Sequence, residues 1–235
     1  YLYLATNHIQ QTKGDLMTIG IPELVEEVIA QIEAKNRPDK EWDDFVPIKK
    51  SKDDKKMDVF LFEHIEVPAI YAKLVYELLT AESDVIVDIH INNGGGYIDA
   101  ANSIVYAIAN SKANITAHLS GTVASAATVI ALACPTIIIE PDLNFMCHEA
   151  SFQGVSGKFS DMKTFQTFYD RHTKESSIRH YEGFLTKAEI EEMHRGKEHW
   201  FNAKETRQRI LNRKAFLAGT TSSISKPTRG RPKKG

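Results

Sequence analysis

Between residues 58 and 140 the apolar pattern switches repeatedly between the period of a strand and that of a helix, and few architectures accommodate that alternation. Residues 58–62 read as a strand and residues 67–80 (VPAIYAKLVYELLT) as a helix. Residues 84–92 (DVIVDIHIN) form a β-branched strand, 99–110 a helix, 115–119 a short strand, 124–133 a small-residue helix and 136–140 a further strand. Residues 145–148 read as a strand, and 161–179 and 187–195 as helices. Strand–helix–strand order implies right-handed βαβ crossovers. The expected class is α/β, with repeated ββα/βαβ units and a mainly parallel sheet.

The flanks have a different texture. Residues 22–34 (PELVEEVIAQIEA) read as an amphipathic helix opened by a proline, and residues 49–56 (KKSKDDKK) as a polar linker or exposed loop. Three sections follow: an N-terminal extension over 1–56, a core over 57–212 and a basic flexible tail over 213–235. Lysine and arginine total 29 against 31 acids, a net charge of −2, so there is no whole-surface attraction to nucleic acid or anionic lipid. That balance hides Lys226, Arg229, Arg231, Lys233 and Lys234, which share residues 226–235 with no acid. Residues 228–233 (TRGRPK) resemble an AT-hook, whose arginines lie in a narrow A·T-rich minor groove. A solubilising tail is the favoured reading, and DNA binding by residues 226–235 the lesser one.

Cys134 and Cys147 are too few for a disulfide framework and point to a reducing, cytoplasmic setting. The uncharged stretch 119–139 is nominally long enough to span a bilayer. Its Ser120, Gly121, Thr122, Ser125, Thr128 and Pro135 fit a helix followed by a short buried strand better, and no membrane association is expected. The first nine residues lack a basic region and a long apolar core, so no signal peptide is expected.

Three segments concentrate chemistry. Residues 92–97 (NNGGGY) follow a strand and precede a helix; their glycines permit positive φ and bring N–H groups close to an anion or oxyanion, or simply make a tight turn. In residues 121–127 (GTVASAA), Ser125 is either an N-cap or a nucleophile at the positive end of a helix, with the N–H of Ala126 free to donate. His148 ends an apolar strand and is either structural or the base that a serine hydroxyl needs. Cys147 is a poor nucleophile for His148, because adjacent strand residues face opposite ways. The remaining histidines show no metal-ligand spacing, so no metal and no cofactor is expected.

In this order the segments resemble the proteolytic subunit of the Clp protease family, ClpP, above all its divergent phage-type members that resemble head-maturation proteases. The resemblance covers residues 59–209. The glycine turn resembles the family's Asn-Ser-Pro-Gly-Gly, with Asn93 and Gly94 in place of Ser-Pro. Residues 121–127 resemble Gly-x-Ala-Ala-Ser-x-Ala, with Val123 for the first alanine; residues 145–148 resemble Met-Ile-His; residues 200–205 (WFNAKE) resemble aromatic-x-Ser-Ala-x-Glu.

The resemblance implies the ClpP/crotonase-like fold with a protruding helix, supplied by residues 157–181 and contacting an opposite ring. It implies Ser125 as nucleophile, His148 as base and then acid, and the N–H groups of Gly96 and Ala126 as the oxyanion site. Substrate would lie extended between Tyr97 and Ile98 on one side and the strand before His148 on the other. The family's third member is an aspartate six residues before the closing aromatic, a position held here by His194. Glu198, Glu149, a carboxylate elsewhere, or His194 as a neutral acceptor would orient His148 instead.

Expected partners are protein or peptide substrates, copies of the chain in a heptamer or stacked double ring, and a separate AAA+ ATPase, since no Walker motif is present. A phage-type relative would instead cut capsid or scaffold proteins in the host cytoplasm or procapsid. Two other readings stay open: a crotonase-type acyl-CoA enzyme and a non-catalytic or weakly active assembly subunit.

Overall fold

Strict alternation in three successive strands builds the centre of the molecule. In this computed structural model, which describes residues 46–151 and 158–219, β2 (Lys56–Leu61), β3 (Ile86–Asn93) and β4 (Asn114–Ala124) run parallel and in register. Met57, Val59 and Leu61 lie beside Val87, Ile89 and Ile91, then Ile115, Ala117 and Leu119, and all are buried on one face. Each Val, Leu or Ile so buried contributes roughly 1.5–3 kcal/mol. That face is covered by α1 (Ala72–Thr80, preceded by a 3₁₀ turn), α2 (Ile98–Asn110) and α3 (Ala126–Ala133). The other face is polar: His90 Nε2 lies 3.1 Å from Asp58, His118 Nε2 lies 2.8 Å from Asp88, and the two imidazoles stack.

With β1 at Ile48–Lys50, β5 at Thr136–Ile139, β6 at Asn144–Cys147 and β7 at His199–Asn202, the seven-stranded sheet has the order β1-β2-β3-β4-β6-β7, and β5 pairs with β4 off that path. β6 is Asn144–Cys147, parallel to β4, and β7 is His199–Asn202, antiparallel to β6. The α/β expectation holds. Local readings change, beginning with the tail expected from residue 213, since residues 213–217 are helical.

The polar run 49–56 is no plain loop. Ile48–Lys50 forms β1, which pairs antiparallel with β2 across a turn. Lys50 Nζ donates to Glu77 at 2.6 Å, the kind of charged edge that discourages further strand pairing. The strand expected over 115–119 extends to Ala124 by way of a bulge opposite Asn92. The strand at the end of the uncharged stretch, β5 (Thr136–Ile139), is not buried; Ile138 is 44% exposed on this edge strand. No helix among the described residues is long and apolar enough to cross a membrane. The helix expected over 22–34 and the AT-hook-like residues lie outside the described residues.

The C-terminal part is held by a clamp. α4 (Phe159–Tyr181) buries only Ser176 and Tyr181, α5 (Lys187–Met193) follows, and α6 (Ala203–Leu217) closes the fold after β7. Capping boxes start the last two: Thr186 with Glu189, and Asn202 with Glu205. Arg209 of α6 grips Glu189 with two bonds of 2.6 and 3.0 Å, and its guanidinium lies 4.1 Å from the centre of the Phe201 ring.

Burial alone pushes the Glu189 carboxyl up, but the Arg209 guanidinium and the Thr186 N–H and hydroxyl outweigh it and hold it at about 2. A folded-state value below the unfolded one gives stability that is complete above the ordinary carboxyl range and lost as pH falls through about 2. Glu189→Gln is therefore expected to lower stability at neutral pH by on the order of 3 kcal/mol. In thermal melts the gap to the wild type should close progressively as pH falls from about 4.5 towards about 2.

Candidate active site

A bulge and a tight elbow aim the serine. Gly121 (φ +57) sits where β4 leaves β5 and begins to pair with β6, and the Asn92 side chain accepts from the Thr122 N–H at 3.1 Å. The positive φ disfavours a side chain at Gly121, and a Cβ there would also displace the Asn92 side-chain oxygen, 2.7 Å away. β4 ends at Ala124, and Ser125 takes φ 55, ψ −129, an unusual conformation for a residue with a side chain.

Neighbours hold that conformation. The Ser125 N–H donates to Met146 O at 2.9 Å, and its carbonyl accepts from the Thr128 N–H at 2.9 Å and the Thr128 hydroxyl at 2.6 Å. Thr128 in turn meets the Tyr181 hydroxyl at 2.8 Å, linking the elbow to the end of α4. Ser125 makes no side-chain cap to α3, so it is not an N-cap of the ordinary kind. Its Oγ instead lies 2.7 Å from His148 Nε2, one residue beyond β6.

The glycine turn packs directly on this elbow. Gly95 (φ +101) and Gly96 (φ +147) need their freedom; Gly94 does not. A Cβ on Gly95 would fall 2.5 Å from Ser125 Cβ and 3.0 Å from the Ala126 nitrogen. The Asn93 side chain organises the turn, accepting from the Gly95 N–H at 2.7 Å while its amide donates to Glu63 O. Ile65 clasps the turn on its other side, donating to Gly95 O at 2.9 Å and accepting from the Tyr97 N–H at 2.8 Å. Among the described residues the N–H groups of Gly96 and Ala126 have no hydrogen-bond partner. Two free donors thus lie next to a serine–histidine contact.

Other expected members sit differently. The Glu198 carboxylate is exposed, accepts from the Trp200 indole at 3.0 Å, and makes no hydrogen bond to His148 among the described residues. Glu149 lies 3.5 Å from His194 Nδ1. Substrate pairing with the strand before His148 does not fit, because β6 is paired on both edges. Tyr97 likewise has both backbone groups engaged, its N–H by Ile65 and its carbonyl by Ala101, which leaves its 54% exposed ring for contact; Ile98 opens α2 and packs partly into the core. Cys147 is fully buried, and desolvation pushes its thiol far up, so it carries no thiolate at neutral pH. No cluster of metal ligands occurs among the described residues.

Asn92, Asn93, Thr128, Tyr181 and Ile65 were not singled out for these roles in the sequence. Only the two asparagines carried a signal, as the polar pair opening the glycine run.

The mostly parallel sheet, its helices and the strand–elbow–helix arrangement are those of the ClpP-like fold. The family described as Clp protease matches residues 50–210, and the chain belongs to that family. Among solved structures it is similar to a mutant form of ClpP1 from Listeria monocytogenes, at 19% identity and a TM-score of 0.55, over 66% of this chain and 87% of that one. The comparison with curated proteins finds no match.

Proposed function

We propose that the chain is a serine-type endopeptidase that cleaves protein substrates, and the observation that carries this is the 2.7 Å contact of Ser125 Oγ with His148 Nε2 beside two unpaired N–H groups. His148 takes the Ser125 proton as Oγ bonds to the peptide carbonyl carbon. The carbonyl oxygen becomes an oxyanion held by the N–H groups of Gly96 and Ala126, each worth on the order of 3 kcal/mol in comparable sites. Collapse breaks the C–N bond, and His148 returns the proton to the leaving amine. Water, deprotonated by His148, then releases the acyl group and restores the serine. No bound cofactor is needed for these steps.

Family membership supports assembly into rings and action on protein substrates. The long α4 suits a contact between rings, since Phe159 (94% exposed), Phe168 and Ile178 show apolar surface on a helix that buries little. A phage-type relative in the host cytoplasm or procapsid, and partnership with a separate AAA+ ATPase, remain part of this reading. The non-catalytic reading has one observation in its favour: no carboxylate among the described residues hydrogen bonds to His148.

A fluorophosphonate probe separates the readings. Label mapped to Ser125, and lost in Ser125→Ala, is expected. Assembled rings that take no label would leave the non-catalytic subunit standing.

A further inference from the structure

The Ser125–His148 pair needs an acceptor for the His148 Nδ1 proton, because a hydroxyl is deprotonated only by the tautomer that keeps Nε2 bare. In the usual register, Cys147 lies opposite His199, so the turn between α5 and β7 borders the place where His148 and Glu149 leave β6. That turn begins at His194, whose N–H closes α5 on Ile190 O at 3.1 Å. Its side chain is only 10% exposed, and neither ring nitrogen has a hydrogen-bond partner. Burying an imidazole with both nitrogens unpartnered is unfavourable, which calls for an explanation.

We propose that His194 is the positioning residue of His148: Glu149 holds the His194 Nδ1 proton, and His194 Nε2 accepts from His148 Nδ1. This rests on the serine-peptidase reading above. Glu149 Oε1 already lies 3.5 Å from His194 Nδ1 on a side chain that is 36% exposed, so a small shift closes the hydrogen bond. That bond fixes the His194 tautomer with Nε2 bare, the only form that accepts a proton bond from His148.

Competing groups around the turn are committed elsewhere. Glu198 accepts from Trp200, while Glu192 takes Lys197 at 2.6 Å and faces His199 at 3.9 Å. The chain of contacts is then serine, imidazole, imidazole, carboxylate. When His148 is protonated in the reaction, the bare nitrogen of His194 stabilises its charge, and the Glu149 carboxylate polarises His194. The proton stays on His148 until it passes to the leaving amine.

The test is the rate of fluorophosphonate labelling of Ser125 across pH in the full-length assembled protein, for wild type, His194→Leu, His194→Asp and Glu149→Gln. His194→Leu is expected to label more slowly, by about 10² to 10⁴-fold, with its pH midpoint lowered. His194→Asp restores the rate and raises the midpoint above that of wild type, because a carboxylate favours the imidazolium more than a neutral ring does. That rescue distinguishes positioning from damage to the fold. Glu149→Gln loses about tenfold, as is common when an outer partner is removed.

A second readout is histidine nitrogen NMR of the wild type. It should show a hydrogen-bonded Nδ1 proton on His148, and that signal should be lost in His194→Leu. Wild-type labelling rate and midpoint in His194→Leu, or a wild-type His148 without the Nδ1 bond, would overturn the assignment. Absence of label in the wild type would instead overturn the peptidase reading, and the NMR signal would still decide the His148–His194 contact.

Discussion

Ser125→Ala is expected to lower peptide hydrolysis by on the order of 10⁶-fold, His148→Ala by about as much, and the double variant by no more than either. The reason is geometric. At 2.7 Å the hydroxyl and the imidazole form one unit, in which each is useless without the other. Residual turnover should come from the free N–H groups of Gly96 and Ala126, which neither substitution touches.

Both residues are half-buried and neither packs the centre of the core, so thermal melts should differ little from wild type. Relief of the strained elbow bears on this expectation too. Alanine keeps a Cβ and hence the positive-φ penalty, so Ser125→Ala should gain no more than a few tenths of a kcal/mol, while Ser125→Gly should be measurably more stable. Multiplicative losses in the double variant would mean that the two side chains act separately and would sink the nucleophile–base assignment.

How far the residues announced this site depends on the range of the interaction. Strand alternation in β2 and β3 and the small-residue run of α3 are local patterns and were readable. β1 escaped notice because Lys49 and Lys50 read as loop, whereas a sheet edge tolerates charge when a partner such as Glu77 faces it. α6 escaped because its apolar stripe is thin: Ala203, Thr206 and Ile210 are all it buries among arginines and lysines. Its Asn202–Glu205 capping box was the available signal.

The order of Gly96, Ser125 and His148 was legible, since each follows a strand. The choice of a third member was not. Glu198 stands nearly opposite His148 in strand register, yet the Trp200 indole claims its carboxylate, and only three-dimensional packing decides such competition. The same holds for Glu149 and His194, whose approach depends on how α5 ends, and for the Thr128–Tyr181 bond between distant helices.

The three consecutive glycines give the sharpest contrast, because they look alike in sequence and the structure makes them unequal. Gly94→Ala should be close to neutral: a Cβ there meets nothing within 4 Å, and the backbone is not in the left-handed region. Gly96→Ala should reduce probe labelling by about 10² to 10³-fold, the scale of losing one oxyanion donor. Its Cβ would fall 2.0 Å from the Ile65 carbonyl oxygen and 2.8 Å from the carbonyl carbon, both backbone atoms, so the bridge between Ile65 and Gly96 has to open.

Opening that bridge moves the Gly96 N–H away from the serine. It also breaks the Ile65–Gly95 and Tyr97–Ile65 bonds, so a fall in melting temperature should accompany the lost activity. Gly95→Ala should be at least as damaging to labelling, since its Cβ would press on Ser125 itself at 2.5 Å. The rank to be checked, by labelling rate and melting temperature together, is Gly94→Ala near wild type and both Gly95→Ala and Gly96→Ala far below it. If Gly96→Ala labelled Ser125 at the wild-type rate, its N–H would not belong to the oxyanion site, and stabilisation of the intermediate would have to rest on Ala126 and another donor.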